Sequence, residues 1–72
     1  MFTHKLRLEF AQKLRQERKK SGLTQEEMAE LIGVSARYYQ MLESKKPSAV
    51  TIDTIEKLAK VLKIPAWKLL AP

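Results

Sequence analysis

Apolar positions recur along the chain at intervals of three and four residues, and residues that start or stop helices stand in the gaps between the runs. Leu6, Phe10 and Leu14 lie at i, i+4 and i+8 with Ala11 beside them, which predicts a first helix from about residue 3 or 6 to residue 20, stopped by Gly22. Met28, Ala29 and Ile32 share one face of a second helix. Thr24 is its N-cap, Glu27 the other half of a capping box, and Leu23 with Met28 a hydrophobic staple. Gly33 ends that helix, because glycine enters the left-handed conformation without steric cost, and Ser35 caps a third. Val34 and Tyr39 repeat the staple spacing there. The segment KKPSAV then reads as a loop before a fourth helix, capped by Thr51, with Ile52, Ile55, Ala59 and Leu62 as its buried stripe. Pro65 forbids continuation and opens a short fifth helix, AWKLL. Glu9 with Lys13, Asp53 with Lys57 and Glu56 with Lys60 have the spacing and order of helical ion pairs. Five helices and no strand predict a compact all-α domain filling residues 1–72.

The second and third helices carry the functional signal. Tyr39 and Leu42 point toward Met28, Ile32 and Val34, so a turn of about 100° per residue places Arg37, Gln40, Met41 and Ser44 on the opposite, outward strip, with Ala36 and Tyr38 at its flanks. A helix held this way fits the major groove of duplex DNA, where side chains reach base edges. Arg37 has two readings, a fork onto guanine O6 and N7 or neutralisation of a phosphate, of which base contact is favoured; Gln40 lies toward the edge of the strip as a further base contact.

The stretch TQEEMAELIGVSARYYQML resembles the helix-turn-helix of the lambda-repressor and Cro-like regulators. The match covers Gln25, Ala29, Gly33, Val34 and Leu42 and extends from about residue 10 to residue 70. The resemblance implies a five-helix DNA-binding domain with the motif in helices 2 and 3 and a recognition helix over about residues 35–44. It implies that Ala36 and Met41 touch bases, and that Gln25 bonds a backbone phosphate while bracing the recognition helix. It further implies that Lys45 and Lys46 form a basic phosphate-contacting loop, and that Arg18 and Glu43 pair between the first helix and the end of the third. Tyr38 is expected against phosphate or sugar; Thr24, Ser35 and Ser44 complete the expected phosphate set. The chain departs from the pattern at Tyr39, where relatives carry a β-branched aliphatic residue and where the ring is expected inside with its hydroxyl near the domain edge. It departs again at Lys45, where a glycine is common, and the loop to Thr51 is about one residue longer.

Composition sharpens this picture. At 72 residues the chain accommodates one small domain, without room for a separate ligand domain, and no small-molecule ligand or cofactor is implied. The formal charge is +6, unevenly spread: residues 1–22 carry Lys5, Arg7, Lys13, Arg15, Arg18, Lys19 and Lys20 against Glu9 and Glu17, whereas the first helix of the motif is acidic at Glu26, Glu27 and Glu30. A merely solvated surface would show the same charges, but beside a helix-turn-helix they favour polyanion binding by counterion release. With no cysteine there is no disulfide framework or thiolate metal site, and no apolar run approaches the length of a membrane span. The N-terminal ten residues have no signal-peptide core, so a cytoplasmic location is expected. His4 is the single histidine, there is no glycine-rich phosphate loop, and no catalytic or metal-ligand constellation is expected.

Trp67, Leu69 and Leu70 put three large apolar side chains on a very short helix, which makes it the expected contact of a homodimer spanning two half-sites. Two other functions fit less of the sequence. One is a protein-interaction module docking through Ala36, Tyr38 and Met41; the other is non-specific nucleic-acid or membrane-surface binding through the basic first helix.

Overall fold

In the computed structural model, residues 4–47 and 49–70 are described, and they form five α-helices. These are α1 (His4–Lys20), α2 (Gln25–Ile32), α3 (Ala36–Leu42), α4 (Ile52–Leu62) and α5 (Ala66–Leu70). A helix start at residue 3 lies outside the described residues. The order and number of helices agree with the periodicity, and no strand occurs among the described residues.

Each helix contributes to one core. Phe10 and Leu14 of α1 meet Met28, Ala29 and Ile32 of α2, Tyr39 and Leu42 of α3, Ile55, Leu58, Ala59 and Leu62 of α4, and Leu69 of α5. The helices α2 and α3 pack against each other, α4 lies against α2, and α5 closes the far side against α1 and α4. Fully burying a side chain such as Leu58 or Leu69 contributes about 1.5–3 kcal/mol. This packing is what keeps the short α3 helical, because seven residues are too few to persist alone.

Two apolar expectations are corrected. Ile52 is 73% exposed rather than buried, and the α4 stripe is Ile55, Leu58, Ala59 and Leu62. At 100° per residue Ile52 falls at the margin of the stripe that Ile55, Leu58, Ala59 and Leu62 define, and it is the first residue of α4. Leu69 is fully buried in its own chain, so it cannot meet a partner. The turn of α5 sends Ala66, Leu69 and Leu70 toward the core and leaves Trp67 67% exposed. Trp67 is therefore the large apolar side chain of α5 that remains outside.

The α4 helix also ends unexpectedly. Lys63 adopts the left-handed conformation, at φ 59°, and its N–H bonds the carbonyls of Ala59 and Lys60, the position glycine ordinarily fills. Among the described residues the ion pairs are Arg18–Glu43 and Glu17–Lys20; the pairs expected for Glu9, Asp53 and Glu56 do not close. Water competes effectively for such exposed charges, and holding two long side chains in one geometry costs entropy.

Candidate nucleic-acid interface

The motif is assembled from capping bonds upward. Thr24 is extended, its Oγ1 accepts from the Glu27 N–H at 3.0 Å, and Glu27 Oε1 accepts from the Thr24 N–H at 2.8 Å, so the capping box is complete. At the other end of α2, Gly33 sits at φ 77°, ψ 33°, and the Val34 N–H returns to the Ala29 carbonyl at 3.0 Å. That reversal directs the chain into Ser35, whose Oγ accepts from the Tyr38 N–H at 3.1 Å. The recognition helix is correspondingly shorter than about residues 35–44: Ser35 is its cap, Glu43 closes it, and Ser44 lies beyond it.

Arg37 and Gln40 are exposed on the outward side of α3, and Met41 is 41% exposed beside them. Ala36 and Tyr38 are half-buried flanking residues that touch the core. The Tyr38 hydroxyl donates to the Ala49 carbonyl at 3.1 Å, tying the helix to the following loop, and Ser44 Oγ donates to the Met41 carbonyl at 2.8 Å. In this state both hydroxyl protons are already engaged. Lys45 and Lys46 are exposed just past the helix, and Pro47 is buried behind them.

The C-terminal end of α3 is locked by one carboxylate. Arg18 donates through Nε to Glu43 Oε2 at 2.8 Å and through Nη2 to Oε1 at 3.1 Å, while its Nη1 donates to the Leu23 carbonyl at 2.8 Å. Gln25 Nε2 donates to Glu43 Oε1 at 3.1 Å, and the Tyr39 hydroxyl donates to Glu43 Oε2. The Glu43 side chain is 1% exposed. Burial alone would push its carboxyl up, but the donors from Arg18, Tyr39 and Gln25 together hold it below the usual carboxylate range. The bond to Glu43 raises Arg18 despite partial burial. Burial first, and then the adjacent carboxylate, push the Tyr39 phenol well above its ordinary value, so the hydroxyl remains a donor.

The expected Arg18–Glu43 pair is thus present as a bidentate contact, joined by two residues the sequence did not connect to it. Tyr39 has its ring inside as expected, but its hydroxyl is buried against Glu43 rather than placed at the domain edge. The i, i+4 spacing of Tyr39 and Glu43 on α3 was a usable signal for this bond. Gln25 supplies the bracing contact with one of the two hydrogens of its amide nitrogen. Nothing in the sequence spacing of Gln25 and Glu43 predicts that meeting.

Among the described residues no group of three or more metal-ligating side chains is assembled, and no helix is long and apolar enough to cross a membrane.

Two short helices, a left-handed glycine between them, and a second helix braced from behind with its polar side bare define a helix-turn-helix. Residues 14–66 match the helix-turn-helix family, and the chain belongs to it, within the lambda-repressor and Cro type of DNA-binding transcriptional regulators. A hypothetical transcription factor, NHTF, from Neisseria is similar at 34% identity and a TM-score of 0.86, covering 93% of this chain and 74% of that one. The restriction-modification controller protein C.AhdI from Aeromonas hydrophila is similar at 35% identity and a TM-score of 0.81, covering 88% of this chain and 94% of that one. No curated protein matches the chain.

Proposed function

We propose that the protein is a small cytoplasmic prokaryotic or phage regulator that binds double-stranded DNA sequence-specifically, with α3 in the major groove. The observation that carries this reading is the contrast on α3: Glu43 is bound by three side chains, while the Arg37 and Gln40 side chains project into solvent with no hydrogen bond or ion pair among the described residues. In that position Arg37 reads a guanine edge, Gln40 contributes a second polar contact, and Met41, with Ala36 at the flank, meets a thymine methyl or excludes other bases by shape. Lys45 and Lys46 neutralise phosphates. Gln25 offers its remaining amide hydrogen to another, beside Thr24 and Ser35 at the helix starts, while Tyr38 and Ser44 contribute through reoriented hydroxyls.

The protein acts as a homodimer on two half-sites, with Trp67 as the contact that α5 leaves outside and Leu70 at its margin. Sedimentation at DNA-binding concentrations is expected to give the mass of two chains. A strictly monomeric mass with and without the selected duplex discards the dimer.

Selection from random duplexes at several salt concentrations tests the reading as a whole. An enriched, palindrome-like site is expected; equal binding to every duplex would leave only charge-driven binding, and no binding would turn the surface over to a protein partner. The half-burial of Ala36 and Tyr38 narrows the apolar strip on which that partner reading depends.

A further inference from the structure

Arg15 of α1 and Lys45 of the loop after α3 line one open cleft of about 200 Å³, and neither forms an ion pair among the described residues. The buried Ala11 and half-buried Leu8 form the apolar part of the cleft; Gln12, Arg15 and Lys45 are exposed along it. Glu43 is the carboxylate in its lining, but both of its oxygens already accept from Arg18, Gln25 and Tyr39. Folding therefore brings two cations to one concavity without giving them a counter-ion. A group with negative charge and several acceptor oxygens satisfies both at once, and the neutral amide of Gln12 adds a donor.

The cleft is also continuous with the end of the recognition helix, because Glu43 and Ser44 belong to its lining. We propose that it holds a backbone phosphate of bound DNA outside the stretch read by α3, with Arg15 and Lys45 as its cations and Gln12 as a positioning donor. This rests on the assignment of α3 as the DNA-reading helix and extends the contact surface to α1. Such a contact would set register and salt dependence without carrying sequence information.

The test follows binding of the full chain to a selected duplex across a salt series, with ethylation interference on the same duplex. Arg15→Ala is expected to reduce the slope of log affinity against log salt by about one, to keep the base preference, and to remove one phosphate from the interference pattern. Gln12→Ala is expected to weaken binding a few-fold with the slope retained. Lys60→Ala removes an exposed cation of α4 outside the cleft, and the interference pattern is expected to stay complete. If wild type binds selectively while Arg15→Ala matches it in slope and interference, the cleft assignment is overturned and the DNA-reading assignment stands. If wild type selects no duplex, both fall. Arg15 is exposed, so circular dichroism is expected to show the variant as folded as wild type.

Discussion

The inner and outer sides of α3 follow opposite rules. Inside, Tyr39 and Leu42 are fully buried and Glu43 receives donors from α1, α2 and α3 itself. Outside, Arg37, Gln40 and Met41 are exposed and spared from packing. The bonds that fix the helix are concentrated on the inner side, so the chemistry of the outer side can vary without loosening it. The difference also explains how so short a helix can hold a fixed position with its outer side bare: that position is imposed from behind.

The largest expected effect attacks the inner side. Glu43→Ala strands the Arg18 guanidinium and the Tyr39 hydroxyl, and denaturant unfolding should show a loss of about 3–5 kcal/mol. Arg18→Ala should be similarly costly, with the double variant losing less than the sum of the singles; small additive losses would erase the contrast between the two sides. Acid should probe the same carboxylate. Its pKa is lower in the folded state, so its stabilisation is complete above the ordinary glutamate value of about 4.3 and is lost as pH falls through the folded value. A thermal melting series should therefore show an acid-side decline, and Glu43→Gln should remove this group's part of it.

On the outer side, Arg37→Ala should cost about 1–3 kcal/mol in binding and relax one base position, with unfolding unchanged within about 0.5 kcal/mol. A comparable loss of folding stability would mean that the two sides are not separable. The turn between the helices offers a smaller, reciprocal pair of tests. A Cβ at Gly33 meets nothing within 4 Å, so Gly33→Ala should cost about 1–2 kcal/mol from the left-handed backbone alone. Lys63→Gly, at the left-handed end of α4, should stabilise by about 1 kcal/mol. The smallest effect is expected for Lys57→Ala, within about 0.5 kcal/mol, because its pair with Asp53 does not close.

Much of the architecture was legible from local chemistry. The Thr24 capping box, the Gly33 reversal and the Ser35 cap all involve groups a few residues apart, and each forms as its spacing predicts. The outward phase of Arg37 and Gln40 was legible for the same reason, since residues on one helix have fixed angular relations. Ile52 and Leu69 show where that logic stops. Periodicity gives the approximate direction of a side chain around the axis, but not which neighbouring helices will cover it. Ile52 is left uncovered at the start of α4, and Leu69 is enclosed by the core. Lys63 shows another gap, because a lysine in the left-handed region carries no warning of its conformation.

The sequence by itself determined the number and order of the helices, the caps at Thr24, Ser35 and Thr51 with the stop at Gly33, and which strip of α3 turns away from its apolar face, because these depend on interactions within about one or two helical turns. Tertiary structure alone decided that Gln25 would join Arg18 on Glu43, that Trp67 rather than Leu69 would stay outside, and that Arg15 and Lys45 would line one cleft. Those outcomes depend on the relative placement of whole helices. That placement is set by how their combined side-chain volumes fill a shared interior, which spacing along the chain does not encode.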